Sequence, residues 1–511
     1  MLEGNNRLTK DLRINYHAGA IYKDNKTDNV TDIADGLNVA NKFSMNLATK
    51  PATVQSGQQV RVQSVFGLGS LSFKDYLFLE GTLRNDWDSR LPAPHSFSYY
   101  SFGLSGIISD MVKLPSYFNY LKAFISYAEV GNGGQFGLLS TPYDYVPGTG
   151  QGYLYRRSTL PFPTLKPEIV RSIEIGAEAR FLKNSLGISL NYYKSNSFNQ
   201  LLTLQLPVGS GYASSYLNAG NIQNQGLEII VSASPVKKET FGWDISFNFG
   251  LNRNKVIELT NEIQSIKLIG YADFGGQPQI NVGGSLADIY AHTWLKNDKG
   301  QYQVTDDGRP VTSNSVGDLP SLVGNFNPKA RLGLSNTFYY NRFSLRVLVD
   351  GRIGGIMISG TEMNLSFSGI TKETEKYRDG GLTLGGMDAD GNPVSASISA
   401  QQFWRTASGK RFGTGEFYTY DATNFRVREF SIGYGIPTAN TFIKSIRLSA
   451  VARNLFWLYR GSSKLSIPGL GKRKMWMDPD MSLYNGNGLS GVEYGAFPST
   501  RSIGLNLQMT F

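Results

Sequence analysis

The chain contains no cysteine among its 511 residues and only three histidines, His17, His95 and His292. Disulfide scaffolds, thiol catalysis and Cys-ligated zinc or iron–sulfur centres are therefore excluded. Three scattered histidines leave little material for a His-based metal centre. Charge is also sparse, at 18% of residues, where soluble domains carry about 25%. No apolar run of roughly 18 residues occurs, so no transmembrane helix is expected. The opening residues Met1-Leu2-Glu3-Gly4-Asn5-Asn6-Arg7 lack the apolar stretch of a signal peptide, and we expect the true start to lie upstream. The net charge of +10 is dispersed without a block of five like charges, which argues against a nucleic-acid partner.

Glycine (57), tyrosine (28) and phenylalanine (29) are plentiful instead, and the apolar pattern repeats every second residue. Ile503, Leu505, Leu507, Met509 and Phe511 alternate with Gly504, Asn506, Gln508 and Thr510. The same alternation runs through Trp243 to Leu251, Ile173 to Phe181, Leu77 to Leu83 and Ile14 to Tyr22. Each is a strand with one apolar face. About fourteen are expected, near residues 12–22, 59–70, 73–85, 97–108, 119–128, 171–181, 186–194, 226–234, 242–252, 330–338, 343–351, 425–435, 445–453 and 502–511.

The connections between them alternate in length. Read backward, long segments (454–501, 352–424, 253–329, 195–225, 129–170) are interleaved with short ones (436–444, 340–342, 235–241, 183–185). A soluble sandwich also alternates along its strands but does not sort its loops to two rims; a transmembrane β-barrel does. A strand of about 9–11 residues is what a tilted crossing needs. The fold class predicted is all-β, a transmembrane antiparallel barrel, with aromatics at strand ends (Tyr99, Tyr100, Tyr192, Tyr193, Phe338, Tyr339, Tyr340) as its interfacial girdles.

Chemical motifs carry less. Asp388-Ala389-Asp390-Gly391-Asn392 opens like a calcium loop but has Pro393 where Gly is needed and Ser399 where Glu is needed. It is read as an external loop, with loop-bound calcium as the alternative and no cofactor expected. Gly486-Asn487-Gly488-Leu489-Ser490-Gly491 lacks the strand and helix of a dinucleotide site, and Gly409-Lys410-Arg411 lacks the Ser or Thr of a phosphate loop. Glu174 and Glu178 read as charge on a polar strand face rather than a hydrolytic pair. No catalytic constellation emerges, and the chain is not read as an enzyme. Tyr143, Tyr145, Tyr153, Tyr155, Trp457, Tyr459, Trp476 and Tyr484 enrich the long loops in aromatics, which stack on sugar rings or peptide side chains. Tyr153, Tyr155, Trp457 and Trp476 are the substrate-contact candidates, weighed against packing between loops.

Specific segments resemble a family. Ser72-Phe73-Lys74-Asp75-Tyr76-Leu77-Phe78-Leu79-Glu80-Gly81-Thr82-Leu83-Arg84-Asn85-Asp86-Trp87, Lys122 to Asn132 and Leu165-Lys166-Pro167-Glu168 followed by Glu174-Ile175-Gly176 are similar to stretches of SusC/RagA-type TonB-linked outer-membrane transporters. So are Asn218-Ala219-Gly220-Asn221 through Glu228, Phe425 to Tyr434, Arg453-Asn454-Leu455-Phe456 and Asp478-Pro479-Asp480. The likeness keeps the family's order along nearly the whole chain. It departs where the family carries an Asp/Asn/Gly-rich loop, of which Lys296-Asn297-Asp298-Lys299-Gly300 and Asp306-Asp307-Gly308 are a degenerate version.

The resemblance implies a 22-stranded barrel in the bacterial outer membrane, of which residues 1–511 are the C-terminal portion. Signal peptide, TonB box, plug domain and first barrel strands would belong to a missing N-terminal segment. It implies import of an oligosaccharide or peptide, a SusD-like surface lipoprotein as lid, energy from a TonB complex acting through the plug, and contact with membrane lipid. Leu507, Met509 and Phe511 would be its C-terminal barrel-assembly signal. Two alternatives stand beside it: a self-contained passive channel of about fourteen strands, and a soluble or surface β-rich glycan-binding module or adhesin.

Overall fold

The computed structural model describes residues 1–140, 143–146, 152–260, 262–268, 275–409, 413–438, 442–481 and 491–511. Fifteen strands form one sheet: β1 Leu2–Arg7, β2 Leu12–Leu37, β3 Ala48–Phe73, β4 Leu77–Asp88, β5 Ser96–Ile107, β6 Phe118–Asn132, β7 Glu168–Phe181, β8 Leu186–Gln205, β9 Ser214–Lys237, β10 Phe241–Glu258, β11 Ala330–Tyr340, β12 Phe343–Ile353, β13 Asn424–Ile436, β14 Ser445–Arg460 and β15 Ser502–Thr510. Their hydrogen-bonded order is their order in the sequence. The chain divides into two compact units, one of Met1–Ile107, Phe124–Glu174 and Ser195–Ile222, the other of Ile108–Ala123, Ile175–Lys194 and Gln223–Phe511.

All fourteen expected strands are present, and β1 is added; it pairs antiparallel with β2, Leu2 opposite Ala18. Two segments read as connections are strand. In the first unit β2 and β3 run 26 residues each, well beyond the expected 12–22 and 59–70. Their distal halves are polar on both faces, with Asp24 bridging Gln59 (2.9 Å) and Arg61 (3.1 Å). Period-two alternation is silent there because both faces meet water. The long loop expected at 195–225 is likewise mostly β8 and β9, leaving only residues 206–213 as connection.

The apolar faces of the strands are not buried. Leu79 and Leu83 of β4 are 51% and 61% exposed, and Ile503 and Leu505 of β15 are 82% and 79% exposed. A soluble sandwich would cover these rows; a sheet facing lipid leaves them bare. Aromatics gather at the short-turn ends, where Phe118 meets Phe181 at 4.7 Å and Phe343 meets Tyr434 at 4.7 Å. The girdle expectation fails for three of its members, one being Tyr339, which lines a cavity on the polar face with Thr337 and Arg346. Tyr99 Oη donates to Asp86 (2.9 Å) and Tyr193 Oη to Asn252 (3.1 Å). Consecutive strand residues face opposite ways, so only Tyr100 and Tyr192 of those two pairs turn to the apolar side.

The hydrophobic core of the second unit lies in its connections. The connections that follow β10, β12 and β14 pack Ile289 and Trp294, Ile358, Phe403 and Phe417, and Leu465 and Val492 into one cluster. A small sheet ties two of the three connections: Ile356–Ser359 pairs antiparallel with Thr419–Asp421 and parallel with Val492–Glu493. The helix Ala400–Ser408 carries Phe403 and Trp404 into this core. Its start is fixed by a Ser399–Gln402 capping box and its end by Gly409, which adopts φ 53°. We call this folded assembly of connections the cap. Phe403 is fully buried against Trp404 (5.0 Å) and Phe417 (5.8 Å). Phe403→Ala should destabilise the cap by about 3–5 kcal/mol and speed its proteolysis, while the heat-modifiable electrophoretic mobility of the sheet persists. Unchanged cleavage rates would contradict a folded cap.

Candidate functional site

The polar face of β11 to β15 carries a ladder of charge. Near the short turns Arg453 Nε meets Glu429 at 3.2 Å and Arg346 lies 4.0 Å from the same carboxylate. They border a cavity of about 580 Å³ with Thr337, Ser344 and Arg447. At the opposite ends of the strands, where the cap begins, register places Asp350 of β12 opposite Arg426 of β13. Arg426 Nε donates to Asp350 at 3.1 Å, its Nη1 to Asp478 at 2.5 Å and its Nη2 to Asp480. Arg428 Nε donates to Asp350 at 2.7 Å and its Nη2 to Asp480 at 3.2 Å. Asp478-Pro479-Asp480, which belongs to the cap, is thus anchored on two strand arginines. Burial alone would raise the Asp480 carboxyl, but Arg426, Arg428 and Arg352 outweigh it and hold it below the usual carboxylate range. This rim encloses a cavity of about 480 Å³ lined also by Phe326, Arg331, Arg352 and Asn424.

Two of the four aromatic candidates are brought together. Trp457 and Trp476 line one cavity of about 170 Å³ with Phe456, Asp478 and Phe497. The Trp457 ring lies 4.8 Å from the Arg426 guanidinium, so it serves the rim as well. Trp476 is 43% exposed, and its Nε1 points to Glu362 at 3.4 Å. Tyr153 and Tyr155 belong to a separate exposed hairpin of the first unit, Tyr143–Val146 with Tyr153–Arg156. Tyr459 is exposed on β14, whereas Tyr484 lies outside the described residues. The β15 candidates Leu507 and Met509 pair with Leu448 and Ile446, and Phe511 stacks on Phe442 at 5.9 Å.

The remaining motifs resolve into loop chemistry. Asp388 accepts from the backbone of Asp390 (2.9 Å) and Asn392 (2.8 Å), a turn closed by its own hydrogen bonds. Asn297 does the same in its loop, accepting from Lys299 N and Gln301 N. Glu178 is paired with Arg180 at 2.8 Å on β7. Lys410, Arg411 and the segment from Gly486 to Ser490 lie outside the described residues. No group of three or more His, Asp or Glu poised for a metal occurs among the described residues.

Beneath the cap surface lies a polar cluster that sequence reading missed. Ser359 caps the helix Gly360–Phe367 by accepting from Glu362 N at 3.1 Å. The Glu362 side chain turns inward to Arg473 Nη1 (2.6 Å) and accepts from Tyr420 Oη (2.5 Å). Arg473 also donates to Phe417 O and lies within 5.9 Å of the Trp404, Tyr418 and Tyr420 rings. The S-x-x-E spacing from Ser359 signals a helix start, but the partner is 111 positions away and leaves no local trace.

With this geometry in place, comparisons with known proteins identify the class. The family described as "TonB dependent receptor-like, beta-barrel" matches residues 2–455. The chain belongs to that family and is an outer-membrane β-barrel protein. It is 23% identical over 540 residues to TonB-dependent receptor P26 of Formosa agariphila, covering 99% of this chain and 52% of that protein. It is 22% identical over 372 residues to TonB-dependent receptor SusC of Bacteroides thetaiotaomicron, covering 68% and 32%. The solved RagAB peptide transporter superposes over 100% of this chain and 54% of that one, at TM-score 0.74 and 17% identity. The chain thus spans about half or less of these relatives' length. The SusC/RagA resemblance seen in the motifs agrees with these matches.

Two outcomes test the cap's polar interior. Arg473→Met leaves Glu362 buried without its cation and should cost the cap about 3–5 kcal/mol, measured as a loss of amide-exchange protection at Glu362 and Tyr420. Glu416 accepts from Trp294 N at 2.8 Å, and burial pushes its carboxyl up against that bond and Lys296. A carboxyl raised on folding binds its proton more tightly in the folded cap. Its contribution is therefore present below the ordinary Glu range and is lost as pH rises through the raised value. Glu416→Gln should flatten that decline in a tryptophan-fluorescence unfolding series; an unaltered pH slope would refute the assignment.

Proposed function

We propose that this chain is part of the barrel wall of an outer-membrane nutrient importer of SusC/RagA type, taking up an oligosaccharide or a peptide. The observation that carries this reading is the continuous polar wall from Arg346 and Glu429 up to the Asp350–Arg426–Asp480 rim, crowned by a folded cap. A passive pore needs a polar wall but no cap with its own hydrophobic core and buried ion pair. A cap built at the outer mouth offers a firm surface for a SusD-like lipoprotein lid and for substrate capture beside Trp457 and Trp476. In this reading the plug and TonB box act from a segment outside residues 1–511, and residues 1–511 supply the C-terminal part of the barrel wall. Similarity to proteins named as receptors and transporters supports it and favours transport over catalysis.

The test is uptake in the source organism. Deleting the gene should abolish growth on one nutrient polymer or peptide mixture, and a protonophore or loss of the inner-membrane TonB complex should abolish the corresponding uptake. Uptake that survives de-energisation would replace the importer reading with the passive channel. Affinity isolation from outer membranes should recover a surface lipoprotein together with this chain.

A further inference from the structure

Register on the polar face sets two arginines directly against each other: Arg331 of β11 lies opposite Arg352 of β12. Like charges directly opposed across antiparallel strands are destabilising, and the one carboxylate paired with either of them, Asp480, stands 4.0 Å from Arg352. Arg352 is only 8% exposed. Its guanidinium donates to two neutral carbonyls, Pro479 O (3.3 Å) and Phe326 O (2.8 Å). Its Nε is buried without a partner, and the carboxylate it reaches, Asp480, is 4.0 Å away. The Arg331 side chain has no hydrogen bond or ion pair among the described residues.

The neighbouring arginines behave differently. Arg426 and Arg428 take up the carboxylates of Asp350, Asp478 and Asp480 at hydrogen-bonding distance. The rim therefore holds four guanidinium groups and three carboxylates, and the side-chain hydrogen bonds of these acids go to the β13 pair, with Asp480 reaching Arg352 only at 4.0 Å. One positive charge is left over, shared by Arg331 and Arg352, which border the same cavity of about 480 Å³. A buried cation without a counter-charge is costly. A planar guanidinium pair answers a carboxylate with parallel N–H donors.

We propose that Arg331 and Arg352 form a clamp for the carboxylate of an acidic ligand, so that this wall selects nutrients carrying a negative charge. The clamp deepens the importer reading and rests on it for its purpose. Its binding, however, is measured on purified protein without energy, so that the two can fail separately. The same carboxylate chemistry is carried by a uronic-acid sugar or by an acidic peptide side chain.

The experiment uses the protein as purified in detergent from the source organism's outer membrane, titrated by calorimetry with digalacturonate and with a terminally blocked Asp-Asp dipeptide. The neutral counterparts are the methyl-esterified disaccharide and blocked Asn-Asn. At least one acidic probe should bind saturably while its neutral counterpart does not, and whichever acid binds identifies the source. Raising salt should weaken that binding. Arg331→Gln and Arg352→Gln should each weaken it about tenfold or more. Arg352 is buried, so Arg352→Gln that loses heat-modifiability is set aside and exposed Arg331→Gln decides. Equal binding of acidic and neutral probes, or an Arg331→Gln protein that binds like the unsubstituted chain, would overturn the clamp.

Discussion

Everything in this protein depends on where its backbone can find hydrogen bonds. Lipid offers none, so each strand that crosses it must take its partners from neighbouring strands. The strand order is accordingly the sequence order, each strand beside the one before it. That arrangement leaves the side chains free to invert the usual plan of a water-soluble protein. Leu79, Leu83, Ile503 and Leu505 stand exposed on one face, while arginines and acids occupy the other. Apolar burial does not fold the sheet against itself; lipid receives that face instead.

The hydrophobic effect in the ordinary sense acts elsewhere, in the three long connections that make the cap. There Phe403, Trp294 and Ile358 are drawn from water, and burying them takes polar groups along. Glu362 and Arg473 share this interior and satisfy each other at 2.6 Å. Such a pair stabilises little against apolar replacements of the same shape but penalises any arrangement that separates its members. It ties residue 362 of one connection to residue 473 of another. The Asp478-Pro479-Asp480 turn does the same between cap and strands through Arg426 and Arg428. One electrostatic link thus joins two connections within the cap and the other sets the cap on its strands, while the cap's core supplies the folding energy.

What could be read from the sequence follows the same division. Period-two alternation marked fourteen strands because one face of each meets lipid and the other meets polar surroundings. Where both faces meet water, as in the Lys23 to Ile33 stretch of β2, or where a strand is as short as β1, that signal vanishes. The cap was read as loops because its elements are brief and its core is assembled from residues more than a hundred positions apart. Trp457 and Trp476 were legible as aromatics in a long stretch read as a connection; Trp457 stands instead on β14, because the strand runs on to Arg460, yet the two do share a cavity. Tyr153 and Tyr155 carried an identical signal and sit on an exposed hairpin. The rim charges stand two residues apart in the sequence, Asp350 with Arg352 and Arg426 with Arg428, but sequence reading did not single them out, because their partners depend on register, which no local pattern specifies.

Edges are where this plan is most demanding, because an edge strand left open in lipid has N–H and C=O groups without partners. The Arg331–Arg352 pair lies on a strand pair away from either edge of the sheet, where the register that opposes the two charges is fixed on both sides by β10 and β13. Slipping β11 by one residue to separate the charges would turn every side chain of the strand to the opposite face, so the ladder on both sides holds the two guanidinium groups together.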